Sequence, residues 1–242
     1  MSSTIRPAVK ANGLSTILDV ITEPATAFER LRSVPMWGWA YLVTAILSMI
    51  GQYLAGPAVA HAIQAGWPAQ IAANPKLAAM TPEAQQRGLQ VALTAIKFAW
   101  LAAPAIVLLA ALLETVIMLA FKAAGRSQAS FKQLWAAAMN TLVVGYGIYS
   151  MVNGIIVMVR GPQSFSSTIE TIRAVPSAAW LAGAAPVKVV AFLAAFNVIS
   201  IWGAVLLAIA MIHVARVSRV NAAACAVLTT ALAGLYFAWG AR

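Results

Sequence analysis

Two long apolar runs joined by a short basic turn constrain this chain more than any other feature. Residues 98–121 contain one charge, residues 133–158 contain none, and Lys122, Arg126 and Lys132 mark the connection between them. A hydrocarbon core about 30 Å thick is crossed by about 20 helical residues, so each arm is long enough to span it. The pair reads as a membrane hairpin, and the rest of the chain must be compatible with a bilayer.

Composition extends that reading to the whole chain. Of 242 residues, 62% are hydrophobic and only 9% are charged, against about 25% charged in soluble domains. Further apolar runs at 36–55, 189–214 and 222–239 predict an all-α polytopic membrane protein with a bundle of five transmembrane helices. Residues 1–35 form a cytoplasmic N-terminal segment, and 36–242 a single membrane domain with no second folded unit.

Within the N-terminal segment, Leu14, Ile17, Leu18, Ile21, Phe28 and Leu31 recur at three- and four-residue spacing, and Pro24 divides them into two short helices. Two readings stand: an amphipathic helix lying in the membrane interface, or a foot packed beneath the spans. On the first, Phe28 and Leu31 are interfacial residues, joined by Trp37 and Trp39 as an aromatic belt at the start of the first span. No short apolar core with a cleavage site precedes that span, which is therefore expected to be retained and to act as its own insertion signal.

Gly56 and Pro57 are expected to end the first span, and His61 to sit in a solvated loop. Thr81-Pro82-Glu83 has the composition of a helix start. Pro104 is expected to kink the second span and Gly125 to cap it. In the third span Ala137, Thr141 and Gly145 fall at four-residue spacing, a stripe that lets helix backbones approach closely. A short helix is expected over 164–173, and Asn197 and Ser200 lie on a small, weakly polar face of the fourth span.

The net charge of +10 is carried by Lys and Arg at the ends of apolar runs, not on one polar surface. That distribution suits lipid head groups and argues against nucleic acid. The short segments holding Arg6, Lys10, Arg30, Arg32, Lys122, Arg126, Lys132, Arg216 and Arg219 are expected inside. The N-terminus is then cytoplasmic and the C-terminus external. Cys225 is the only cysteine, so no internal disulfide forms.

No catalytic constellation is recognisable: there is no His-Glu-x-x-His helix, phosphate loop or Gly-x-Ser-x-Gly elbow. Two histidines and one cysteine, each in a different segment, predict no metal, and no cofactor is expected. Glu114 is the only carboxylate within the long apolar runs. Asn140 lies as far beyond Ser127 as Glu114 lies before it, so the two share a depth about 10 Å from the turn. A carboxylate in a span costs about 2.5 kcal/mol or more and must face protein or water. It is either a proton or cation site, with Asn140, Thr115 and the Asn197 and Ser200 face as partners, or a neutral acid hydrogen-bonded to Asn140 that fixes the hairpin. The absence of a paired cation favours the second, and an odd span count argues against a two-halves transporter.

Several pieces together resemble the bacterial branch of the Yip (Ypt-interacting protein) domain family of five-span membrane proteins. They are Glu23-Pro24 with Phe28 and Leu31 before Pro35, Met80-Thr81-Pro82-Glu83, Ser130-Phe131-Lys132-Gln133-Leu134, and Asn197, Ser200 and Trp202 with Leu206 and Leu207 ahead of Val217-Ser218-Arg219. The resemblance implies five helices with a cytoplasmic N-terminus and, in eukaryotic members, association with Rab-type GTPases in vesicle traffic. It supplies no catalytic residue. The expected function is that of a non-enzymatic adaptor or accessory subunit of trafficking or export machinery in a bacterial inner membrane. Its expected partners are the lipid bilayer and a membrane protein or a second copy. The rival expectation is a small conduit for a proton, ion or lipid organised around Glu114.

Overall fold

A computed structural model of the chain describes residues 12–172 and 174–241. The expectations for residues 1–11, including Arg6 and Lys10, and for Arg173 lie outside them. The described residues form an all-α bundle without a named strand.

Local sequence sets the first two helices. Asn12 accepts a hydrogen bond from the Leu14 amide at 3.0 Å and opens α1 (Gly13–Thr22), and Pro24 opens α2 (Pro24–Ser33). An ion pair between Asp19 and Arg30 ties them together. The inward face of α2, Ala27, Phe28 and Leu31, is fully buried in a cluster with Met118, Leu134 and Met211. Phe28 and Leu31 therefore face other helices, which corrects their reading as interfacial residues. A phenyl ring and an isobutyl group gain as much from a packed interior as from an interface. Trp37 and Trp39 are partly exposed at the start of α3 (Gly38–Ala73), and Trp37 meets Trp135 edge-on at 6.1 Å.

The expected end of the first span at Gly56-Pro57 is not there: α3 continues through Pro57 and Pro68. Each proline costs one helical hydrogen bond. Beside Pro57, α3 packs on α8 (Tyr149–Arg160), with Ala58 and Val157 in one buried cluster, and tertiary contact overrides local preference there. Pro68 is exposed, in the part of α3 that runs beside α5 (Pro82–Phe98). His61 is consequently on a helix, its Nδ1 3.1 Å from the Phe165 carbonyl. At 1.5 Å per residue α3 is about 54 Å long, well beyond a 30 Å core. Its far end forms a projecting hairpin with α4 (Pro75–Ala78) and α5.

After a 3₁₀ turn at Ala99–Ala102, α6 (Ala103–Ala124) begins. Pro104 sits in its first turn, directly after the 3₁₀ turn that interrupts the path from α5 into α6. Ser130 and Gln133 form a reciprocal capping box that opens α7 (Phe131–Leu142). A π-helical turn, Val143–Ile148, leads from α7 into α8. The short helix expected over 164–173 is confined to α9 (Thr168–Ile172).

The fourth apolar run is divided into α10 (Val187–Ala194) and α11 (Val198–His213). Asn197 makes the break, accepting from the amides of Ile199 (3.1 Å) and Ser200 (2.9 Å) as a helix N-cap. The Phe196 carbonyl released by the break accepts from the Ala178 amide at 3.0 Å, as buried irregular backbone requires. Both pieces pack along α12 (Arg219–Gly240): Phe192 meets Gly234 near one end, while Leu207 and Met211 share a cluster with Ala222 and Cys225 near the other. Among the described residues, four helices are long and apolar enough to cross a membrane: Gly38–Ala73, Pro82–Ala124, Phe131–Arg160 and Arg219–Gly240. The pair α10–α11 runs the length of the last as a discontinuous fifth element.

Candidate functional site

The polar contact at Glu114 joins two helices, α6 and α7. Glu114 on α6 is 6% exposed, and Thr141 and Asn140 on α7 are 2% and 1% exposed. Thr141 Oγ1 hydrogen-bonds to Oε1 of Glu114 and also, at 2.7 Å, to the Ala138 carbonyl. One hydroxyl carries one proton. Thr141 therefore serves one of these two acceptors at a time, Glu114 on the neighbouring helix or Ala138 on its own.

Asn140 does not take part. Its Nδ2 donates to the carbonyls of Met36 (3.0 Å) and Ala136 (2.8 Å), tying α7 to the segment that enters α3. Equal distance from the turn places Glu114 and Asn140 at one depth but does not fix facing. Successive helical residues point about 100° apart, and it is Thr141 that faces α6. Asn197 and Ser200 are likewise elsewhere: Asn197 Nδ2 donates to Ser200 Oγ at 2.8 Å, within the helix break. Thr115 bonds back to the Ala111 carbonyl of its own helix at 2.6 Å.

The stripe of small residues divides in the same way. Ala137 is fully buried in the main cluster, Thr141 serves Glu114, and Gly145 faces Gly203 of α11. A Cβ on Gly203 would stand 2.7 Å from the Gly145 Cα. The tightest crossing joins α3 to α8 through Gly51 and Gly154. A Cβ on Gly51 would meet the Ser150 carbonyl oxygen at 2.1 Å, and one on Gly154 would meet the Gly51 oxygen at 2.3 Å. The partners Gly51 and Gly203 lie outside the stripe, and only the pairing of glycines on separate spans could have pointed to them.

No group of three metal-binding side chains occurs among the described residues. Open cavities include one of about 720 Å³ near Arg160 and Glu170, and one of about 300 Å³ between Arg32, Arg126 and Arg216. Glu114 lines neither. Its surroundings are side chains and backbone, an arrangement suited to fixing the hairpin.

Residues 18–241 match the Yip1 domain. The chain belongs to the Yip1 domain family. Neither a curated protein nor a solved structure matches it. The Yip1 domain match begins within α1 and ends beyond α12, so it takes in the second half of α1 and all of α2. The polar contacts and the glycine crossings of this Yip1-domain protein all fall inside it.

For the buried acid the expected result is tolerance. Glu114→Gln keeps the shape and supplies an amide donor to Thr141, so the cost should stay within about 1 kcal/mol. A thermal melt of the purified protein should shift by no more than about 4 °C. A larger fall would mean that the carboxyl carries more of the hairpin than its hydrogen bond.

Proposed function

We propose that this membrane protein of the Yip family is a non-enzymatic adaptor or accessory subunit for trafficking or export machinery in a bacterial inner membrane. It crosses the bilayer five times, α10–α11 together making the fourth crossing, with the N-terminus cytoplasmic and the C-terminus external. The observation that carries the reading is the closure of the bundle around its one intramembrane acid, with Glu114 buried, engaged by Thr141 and lining neither of these cavities. A conduit organised on that residue needs a path for water or ions. Orientation is supported by charge. The end of α2 and the α6–α7 and α11–α12 turns meet at one end and bring Arg32, Arg126 and Arg216 together there, the pattern of a cytoplasmic face. Ala241 packs with Ile169 and Val190 in a separate cluster.

Partner capture tests this. After crosslinking in native membranes and purification in mild detergent, a stoichiometric membrane-protein partner is expected. If the protein emerges alone, and liposomes containing it pass protons or ions in a manner abolished by Glu114→Gln, the adaptor reading fails and the conduit takes its place.

A further inference from the structure

The α6–α7 and α11–α12 turns are pressed together by a glycine. A Cβ on Gly125 would lie 2.7 Å from Val217 Cγ1, so only the absence of a side chain there lets the turns touch. Gly125 itself has φ −83°, a value open to any residue. The left-handed positions are filled instead by Arg126 (φ 53°) and Arg216 (φ 54°), the only non-glycine residues of positive φ among those described. Glycine or asparagine is the usual choice at such helix ends. Here each turn puts a guanidinium at its strained position, and both arginines line the same cavity of about 300 Å³.

Arg32, at the end of α2, supplies a third guanidinium, and Ser127, Gln128 and Gln133 add neutral polar groups. Among the described residues, no carboxylate lines the cavity. The nearest acid in contact with its arginines is Glu29, 3.8 Å from Arg216 and also 3.2 Å from His213. Arg32 and Arg126 have no ion-pair partner among the described residues. The cavity also sits beside the first turn of α7, where Phe131 stacks on Trp135 at 6.0 Å and Trp135 meets Trp37. Such aromatic clusters mark head-group depth.

We propose that this cavity binds a phosphate oxyanion, carried by the head group of an anionic lipid or by a free phosphate. Guanidinium groups present paired N–H donors that match phosphate oxygens, and they are the preferred ligands where geometry matters. Basic pockets between helices at the cytoplasmic surface are suited to anionic head groups.

The test uses the full-length protein and the double variant Arg126→Gly/Arg216→Gly. Glycine keeps both left-handed turns and relieves their strain, so folding is preserved while the two guanidinium groups are removed. Native mass spectrometry and thermal melts are recorded with phosphatidylglycerol, with zwitterionic phosphatidylcholine, and with inorganic phosphate alone. The wild type is expected to retain phosphatidylglycerol over phosphatidylcholine, and the double variant to lose that preference by tenfold or more. Arg87→Gln, on α5, should leave it unchanged. Stabilisation by inorganic phosphate that also displaces the lipid assigns the site to free phosphate. Stabilisation by phosphatidylglycerol alone assigns it to the head group. Equal binding of both lipids by the wild type with no response to phosphate, or an unchanged preference in a well-folded double variant, overturns the proposal.

Discussion

Gly51→Val should leave little correctly folded protein in the membrane. A Cβ at this position would stand 2.1 Å from a backbone oxygen and 2.4 Å from the carbonyl carbon of Ser150. Neither atom belongs to a side chain that could turn aside, so α3 and α8 must separate. Overpacking of a well-filled core costs 1–3 kcal/mol and sometimes more. Because the clash is with backbone and the crossing is the closest described, the expected loss is above about 3 kcal/mol, or a melting temperature lower by roughly 6–12 °C. The matched control is Gly56→Val on the same helix, where an added Cβ meets nothing within 4 Å. Fluorescence-detected size exclusion over a temperature series separates the two. Equal behaviour would show that the α3–α8 contact does not govern stability.

Phe28→Ala is the second large effect. Phe28 has no exposed surface and is the largest side chain that α2 contributes to the main cluster. Deleting a buried phenylalanine ring costs about 3–5 kcal/mol through lost transfer energy and the cavity left behind. The fall in melting temperature should approach 10 °C or more. Leu18→Ala, on the 65% exposed face of α1, should change it by little. The contrast decides whether α1–α2 is a docked part of the bundle or a separable surface helix. If the two variants behave alike, α2 is not docked in solution as its burial implies.

Much of this architecture was legible because it rests on short-range rules. The apolar hairpin, the turn after Gly125, the helix start at Thr81 and the break at Pro24 follow from hydrophobic length and capping chemistry, and each is present. The misreadings share a cause, which is that sequence fixes depth along a helix more firmly than facing or context. Pro57 looked like a stop because nothing in the chain announces that α8 packs on α3 beside it. Asn197 looked like one member of a polar stripe, and only the fold shows it capping a new helix. Asn140 was paired with Glu114 by depth, and Thr141, one residue on, proved to hold the contact. The three arginines of the basic cavity were each seen as a flank of an apolar run. Their convergence depends on Gly125 meeting Val217, a contact between residues far apart in sequence.

The π turn at Val143–Ile148 has a consequence for how this domain tolerates insertions and deletions. A π turn accommodates one more residue than an α turn, so the third long helix amounts to two ordinary helices with one residue added at their junction. The first keeps Thr141 towards Glu114, and the second keeps Gly154 against Gly51. With that residue removed, a regular helix would rotate one half about 100° relative to the other, and only one of those two contacts could be kept. The length of this segment, more than the identity of the residues in it, therefore links the polar contact at one end of the hairpin to the glycine crossing at the other.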